Sequence, residues 1–174
     1  MNLSEARRII LAAASIQKEA KELGFVASEG ARENLVTFER LVTDETLRLA
    51  TRQLFIDGHY ALAVEEAYKC LNNYIKSRSS VSDDGANLMR RVFSPKNPIL
   101  KLNQLRSESQ RNQQLGYMEI YAGCMTGIRN PRAHEYRSLD EPSAALEMLS
   151  LANHLIRLAR NAKRSRPSKK KTVP

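Results

Sequence analysis

Apolar positions recur along this chain every three or four residues, the spacing that lays one stripe along an α-helix. Ala6, Ile9, Ile10, Ala13, Ile16, Ala20 and Leu23 predict a first amphipathic helix from Leu3 to Leu23, stopped by Gly24. Leu35, Phe38 and Leu41 predict a second near Ala31 to Leu41. Thr43 or Asp44 can cap a third, which carries Leu47, Ala50, Leu54 and Phe55 up to a bend at Gly58. The broadest stripe, Tyr60, Ala61, Val64, Ala67, Tyr68, Leu71 and Ile75, marks a core helix from His59 to about Lys76. The polar connection Ser79 to Asp84 leads into a short helix from Gly85 to Phe93, and Pro95 and Pro98 mark a loop. From Ile99 to Gln114 three leucines give way to an almost wholly polar run, which predicts a mobile loop or an exposed helical turn. Leu115, Met118, Tyr121, Ala122, Met125 and Ile128 restore the period and should deliver Arg129 near the end of one helix. After a second break at Ser138 to Pro142, a last helix carries Ala145, Leu149, Ala152, Leu155, Ile156 and Ala159, and should pack beside the helix of Glu65 and Tyr68.

This pattern, with only 7 glycines, 6 prolines and few alternating runs, predicts an all-α protein. At 174 residues the chain suits one buried core. The expected layout is an N-terminal helical extension over 1–43, a main helical domain over 44–163 and a disordered basic tail over 164–174. Much of the formal net charge of +9 stands in that tail, at Arg164, Arg166, Lys169, Lys170 and Lys171, and at Lys163 just before it. Such a run gathers polyanions without sequence preference, so Lys169, Lys170 and Lys171 are candidate substrate-binding residues. Cys70 and Cys124 stand far apart inside helical periodicity, which suggests neither a disulfide framework nor a zinc pair. No apolar run approaches a membrane span, and Glu5, Arg7 and Arg8 occupy the place of a signal peptide's apolar core. The expected location is the cytoplasm. A glycine-rich phosphate loop, His-Glu-x-x-His and Cys-x-x-Cys are all missing, so the expectation is no cofactor and no metal.

The concentrated chemistry lies in Gly127-Ile128-Arg129-Asn130-Pro131-Arg132-Ala133-His134-Glu135-Tyr136. Arginine presents a planar, permanently charged fork to phosphate, and histidine exchanges a proton near neutral pH. Pro131 disfavours helical geometry in the residue before it, so Asn130 is expected to leave the helix and cap a new turn opened by Pro131. On an uninterrupted helix, residues five apart point roughly 140° away from each other, whereas a break can bring Arg129 and His134 together. The plainer alternative is that His134 caps or packs while Arg129 pairs with an acid such as Glu119 or Glu135. His59, at the start of the core helix, is either a second polar group of the site or a histidine capping or packing at a bend. Glu65 and Glu66 either face solvent or pair with Lys69, or one of them lines the cleft and holds Arg129.

Arg129-Asn130-Pro131-Arg132-Ala133-His134 resembles the Arg-polar-x-x-x-His signature of the HEPN superfamily (higher eukaryotes and prokaryotes nucleotide-binding), small helical domains that include many RNases. Phe55 to Tyr60, Glu65 to Lys69, Val92 to Ser94 and Asn97 to Leu100 are similar to a bacterial, abortive-infection-like HEPN branch, and the resemblance covers roughly Leu47 to Arg160. It implies an up-and-down helical bundle with two extra N-terminal helices. It also implies a metal-independent endoribonuclease, a toxin or effector in anti-phage defence or a toxin–antitoxin system, that acts on RNA as a homodimer with a composite active site. Arg129, Asn130 and His134 would be catalytic, with Arg132 and His59 as substrate contacts. Tyr136 completes an Arg-x-x-x-x-His-x-Tyr pattern similar to that of HEPN toxins silenced when a partner nucleotidyltransferase modifies the tyrosine; the implied partner is an antitoxin or defence-system protein. A non-catalytic helical module that binds nucleic acid or a partner protein is the alternative.

Overall fold

The computed structural model describes residues 3–22, 29–134 and 141–165. Among them the chain is mainly α-helical, as the periodicity requires, with one two-stranded pairing. The helices are α1 (Leu3–Glu22), α2 (Glu29–Leu41), α3 (Glu45–Ile56), α4 (Tyr60–Ser79), α5 (Gly85–Phe93), α6 (Glu108–Cys124), α7 (Asn130–His134) and α8 (Pro142–Asn161). A π-helical turn, Met125–Arg129, joins α6 to α7, and strands β1 (Leu100–Lys101) and β2 (Lys163–Arg164) pair antiparallel. No described helix is long and apolar enough to cross a membrane. The chain divides into two compact units, residues 1–37 and 38–174.

In the first unit, α1 leaves Ile9, Ile10, Leu11 and Ile16 exposed. In the second unit α4 is central, flanked by α3 and α8, and α5 packs on α6. The stripe read from the sequence is the one that is buried: Val64, Ala67, Tyr68, Leu71 and Ile75 of α4 and Leu149, Ala152, Leu155, Ile156 and Ala159 of α8. Two tyrosines tie α8 into this core, the Tyr68 hydroxyl donating to the Met148 carbonyl at 3.0 Å and that of Tyr121 to the Leu155 carbonyl at 2.7 Å. Burial raises both phenols well above their ordinary pKa. Gly58 makes the α3–α4 bend at φ +78°, a backbone conformation that glycine adopts without steric cost.

Asp44 settles which residue caps α3: its carboxylate accepts from the Leu47 N–H at 3.2 Å. It also accepts from the Arg160 guanidinium, and Asn153 Oδ1 receives the Thr43 and Asp44 N–H groups at 2.9 and 2.8 Å. The start of α3 is thereby fastened to the end of α8. Burial acts to raise the Asp44 pKa, but the bonds from Arg160 and Leu47 outweigh it and hold the carboxyl below its ordinary value. The stabilisation is therefore complete above the ordinary carboxylate range, near pH 4, and is lost as pH falls through the depressed folded value. Asp44→Ala should cost about 2 kcal/mol, combining a lost cap with a charged hydrogen bond to a water-accessible arginine. Denaturant titrations should show the gap between wild type and variant at neutral pH and its closure in acid.

Two sequence expectations change in this unit. Of the two alternatives for Ile99 to Gln114, the exposed helical turn is the one found, over Glu108–Gln113, but it belongs to the long helix α6: Ser107 caps it by accepting from the Gln110 N–H at 3.2 Å, β1 forms before it, and Gln114 is fully buried. Its outward face from Glu108 to Gln113 is polar because it meets water, so a regular helix leaves no apolar stripe there. Arg164, assigned above to the disordered tail, lies in β2, and the Ser165 N–H reaches the Ile99 carbonyl at 2.9 Å. Pairing with β1 gives this polar segment hydrogen bonds that its composition does not announce. Residues 166–174, with Lys169, Lys170 and Lys171, lie outside the described residues.

Candidate functional site

The site is set by how the chain passes Pro131. A proline ring lacks an N–H and collides with the carbonyl four residues earlier, here that of Gly127. The helix answers by widening to the π form over Met125–Arg129, and the Asn130 N–H bonds to the Met125 carbonyl, five residues back. A single-turn π bulge of this kind recurs at functional sites. The expected break is absent: Asn130 is right-handed helical at φ −62°, ψ −44°, and is not an N-cap. The wider turn upstream relieves the conflict that a break would otherwise have relieved. Helical backbone therefore runs without a break from Arg129, the last residue of the π turn, into α7.

Arg129 pairs with Asp84. Its side chain is 24% exposed, and Nη1 lies 3.3 Å from Asp84 Oδ2. The other Asp84 oxygen accepts from Asn72 Nδ2 at 2.7 Å and faces Lys76 Nζ at 3.7 Å, while Asn72 Oδ1 receives the Gly85 N–H at 3.0 Å. Burial acts to raise the Asp84 pKa, but the Asn72 bond and the charges of Arg129 and Lys76 prevail and lower it. Arg129 Nε is buried and has no hydrogen-bond partner among the described residues. A buried donor without an acceptor is costly. Asp84, which no motif singles out, is thus the residue that sequence reasoning missed. It occupies the capping position before α5 but makes no side-chain cap bond, its carboxylate turned instead to Arg129 and Asn72. The available signal was two consecutive acids, Asp83 and Asp84, where a helix start needs one.

The other candidates are dispersed. Asn130 is exposed beside Arg129. Arg132 is half-buried, donating through Nη1 to the Ile128 carbonyl at 2.9 Å and through Nη2 to Met148 Sδ, so its guanidinium leans on α8. His59 sits exposed at the N-cap position of α4 without a side-chain cap bond. It lies thirteen residues before Asn72, about 20 Å along the helix, so the structure does not bring it to Arg129. Glu65 and Glu66 both pair with Lys69, at 2.7 and 2.8 Å, and Glu119 faces Arg90 at 3.8 Å. The side chain of His134, and Glu135 and Tyr136 entirely, lie outside the described residues. Among the described residues no group of three or more His, Cys, Asp or Glu side chains could hold a metal ion.

Compared with known families, residues 42–158 match one described as "Protein of unknown function (Hypoth_ymh)". That match covers most of the chain and contains the whole motif, and the chain belongs to this family. No curated protein and no solved structure matches.

Proposed function

We propose that this Hypoth_ymh family member is a metal-independent endoribonuclease of HEPN type, an up-and-down bundle that acts as a homodimer in the cytoplasm. The supporting observation is the seating of Arg129: a π turn carries it, Asp84 pairs with one nitrogen, and its Nε has no acceptor among the described residues. Asn130 stands exposed beside it. In the proposed reaction the ribose 2′-oxygen attacks the adjacent phosphorus and gives up its proton to His134 acting as general base. The bond to the 5′-oxygen breaks, leaving a 2′,3′-cyclic phosphate and a 5′-hydroxyl. Arg129 stabilises charge on the phosphoryl oxygens, and Asn130 orients one of them. The leaving oxygen needs a proton too, and one histidine cannot both take and give at once. In this proposal a second copy of the motif, facing the first across the homodimer, supplies the complementary groups. Arg132 and His59 retain a substrate-contact role in this proposal only at its margin, since one leans on α8 and the other lies far along α4.

The biological role that goes with this chemistry is a toxin or effector of anti-phage defence, restrained by a partner protein, with Tyr136 as the candidate modification site. An RNA oligonucleotide should be cut, and its counterpart with a single 2′-deoxy residue at the cleaved position should survive at that position. Cutting of both would exclude attack by the 2′-hydroxyl.

Asp84 acts through Arg129. Asp84→Ala should lower cleavage about tenfold, mainly in kcat, less than loss of Arg129 itself. An unchanged kcat would remove Asp84 from the mechanism. The same ion pair is the observation that favours the second reading, a non-catalytic module binding nucleic acid or a protein, in which Arg129 is a structural cation. In that case Asp84→Ala would lower the melting temperature and nothing else.

A further inference from the structure

Away from Arg129, the end of α4, the loop before β1 and the β1–β2 pair line an open cavity of about 930 Å³. Lys96, Lys101 and Arg164 line it together with Val81, Pro98 and Ile99, and no carboxylate is among the described residues that line it. Arg164 is fixed in place, its Nη2 donating to the Ser79 carbonyl at 3.4 Å and to Ser80 Oγ at 3.3 Å. Ser80 ends α4 in the left-handed conformation, φ 57°, which turns the chain and opens the wall. The nearest acids by sequence are already engaged, Asp83 by Arg91 and Asp84 by Arg129 and Lys76. Among the described residues neither Lys96 nor Lys101 has a carboxylate within ion-pairing distance. Lys101 is moreover paired directly across the β-ladder with Lys163. Like charges in that register repel, and an anion between or beside them removes the penalty.

We propose that this cavity is a docking groove for the phosphodiester backbone of single-stranded nucleic acid, holding the strand that flanks the bond placed at Arg129. It rests on the ribonuclease reading for which strand it holds, though not for its affinity towards phosphate. Three cations and an apolar floor suit a chain that alternates charge with sugar and base, better than they suit an isolated small anion. Val81 in its wall is three residues from Asp84, the partner of Arg129, so those two residues are at most about 11 Å apart.

The test is fluorescence anisotropy of a labelled all-2′-deoxy oligonucleotide, which 2′-hydroxyl chemistry cannot cut, with the full chain across a salt series. Lys96→Gln/Lys101→Gln should weaken binding about tenfold and flatten the dependence of log K on log salt by about 1.4, the equivalent of two phosphate contacts. Arg7→Gln/Arg8→Gln removes equal charge from α1 and should change little. Equal losses in the two variants, binding within twofold of wild type in the first, or no binding by wild type would each overturn the groove. So would Lys96- and Lys101-dependent capture by anionic lipid vesicles in place of the oligonucleotide. Lysine-dependent binding by a chain that cuts no RNA would keep the groove and end the ribonuclease reading. Normal cleavage with binding unchanged by the lysine variant would do the reverse.

Discussion

His134→Ala should reduce RNA cleavage by about 100- to 10,000-fold, the range that a general acid or base contributes. Arg129→Ala should cost about 100- to 1,000-fold, as removal of a preorganised donor to a developing oxyanion does. The double variant should be little worse than either single one, because groups acting on one phosphate fail as a unit. Arg129→Lys should recover only part of the rate: an ammonium keeps the charge but cannot both reach Asp84 and present a planar fork to phosphate. Thermal melts separate these effects from misfolding. His134→Ala should melt with wild type, whereas Arg129→Ala leaves Asp84 with only Asn72 and Lys76 and should melt slightly lower. Full activity in His134→Ala would remove the general base from the proposal.

The largest expected stability effect falls on Gln114. Its Nε2 donates to the carbonyls of Phe93 and Leu100, both at 3.0 Å, and its Oε1 accepts from the Leu102 N–H at 2.9 Å. One amide therefore serves three backbone groups where the chain leaves α5, forms β1 and starts back towards α6. Gln114→Leu keeps much of the volume but strands those groups, two of them deeply buried. The expected cost is about 3 kcal/mol, a fall in melting temperature of roughly 10 °C. Gln114→Glu retains one acceptor and loses both donations, and should be no better. A melting temperature within a few degrees of wild type in Gln114→Leu would show that these backbone groups find other partners.

Gln114 also shows where sequence reading stopped. The helices whose buried face is apolar were legible in outline: α4 and α8 carry their stripes where the spacing put them, and α5 begins and ends at the expected residues. The first half of α6 was not legible, because its outward residues are polar and its one deeply buried residue there is an amide whose value depends on three distant carbonyls and amides. The motif was legible as residue types, but its backbone was not. The rule that a residue before proline leaves the helix was overridden at Asn130 by a π turn, a feature that no residue pattern in Met125 to Arg129 specifies. Asp84 escaped notice for a similar reason. Its partner Arg129 is 45 residues away along the chain, and only the packing of α5 and the π turn against α4 brings them together.

The proposed ribonuclease depends on Arg129 offering its guanidinium to a phosphate while Nη1 pairs with Asp84. The most direct measurement is end-group analysis of RNA fragments released from transfer RNA by the purified protein in EDTA, beside His134→Ala. The account predicts fragments with 2′,3′-cyclic phosphate and 5′-hydroxyl ends from the wild type and intact RNA from the variant. Intact RNA with a folded, dimeric wild type, or fragments ending in 3′-hydroxyl and 5′-phosphate, would contradict it.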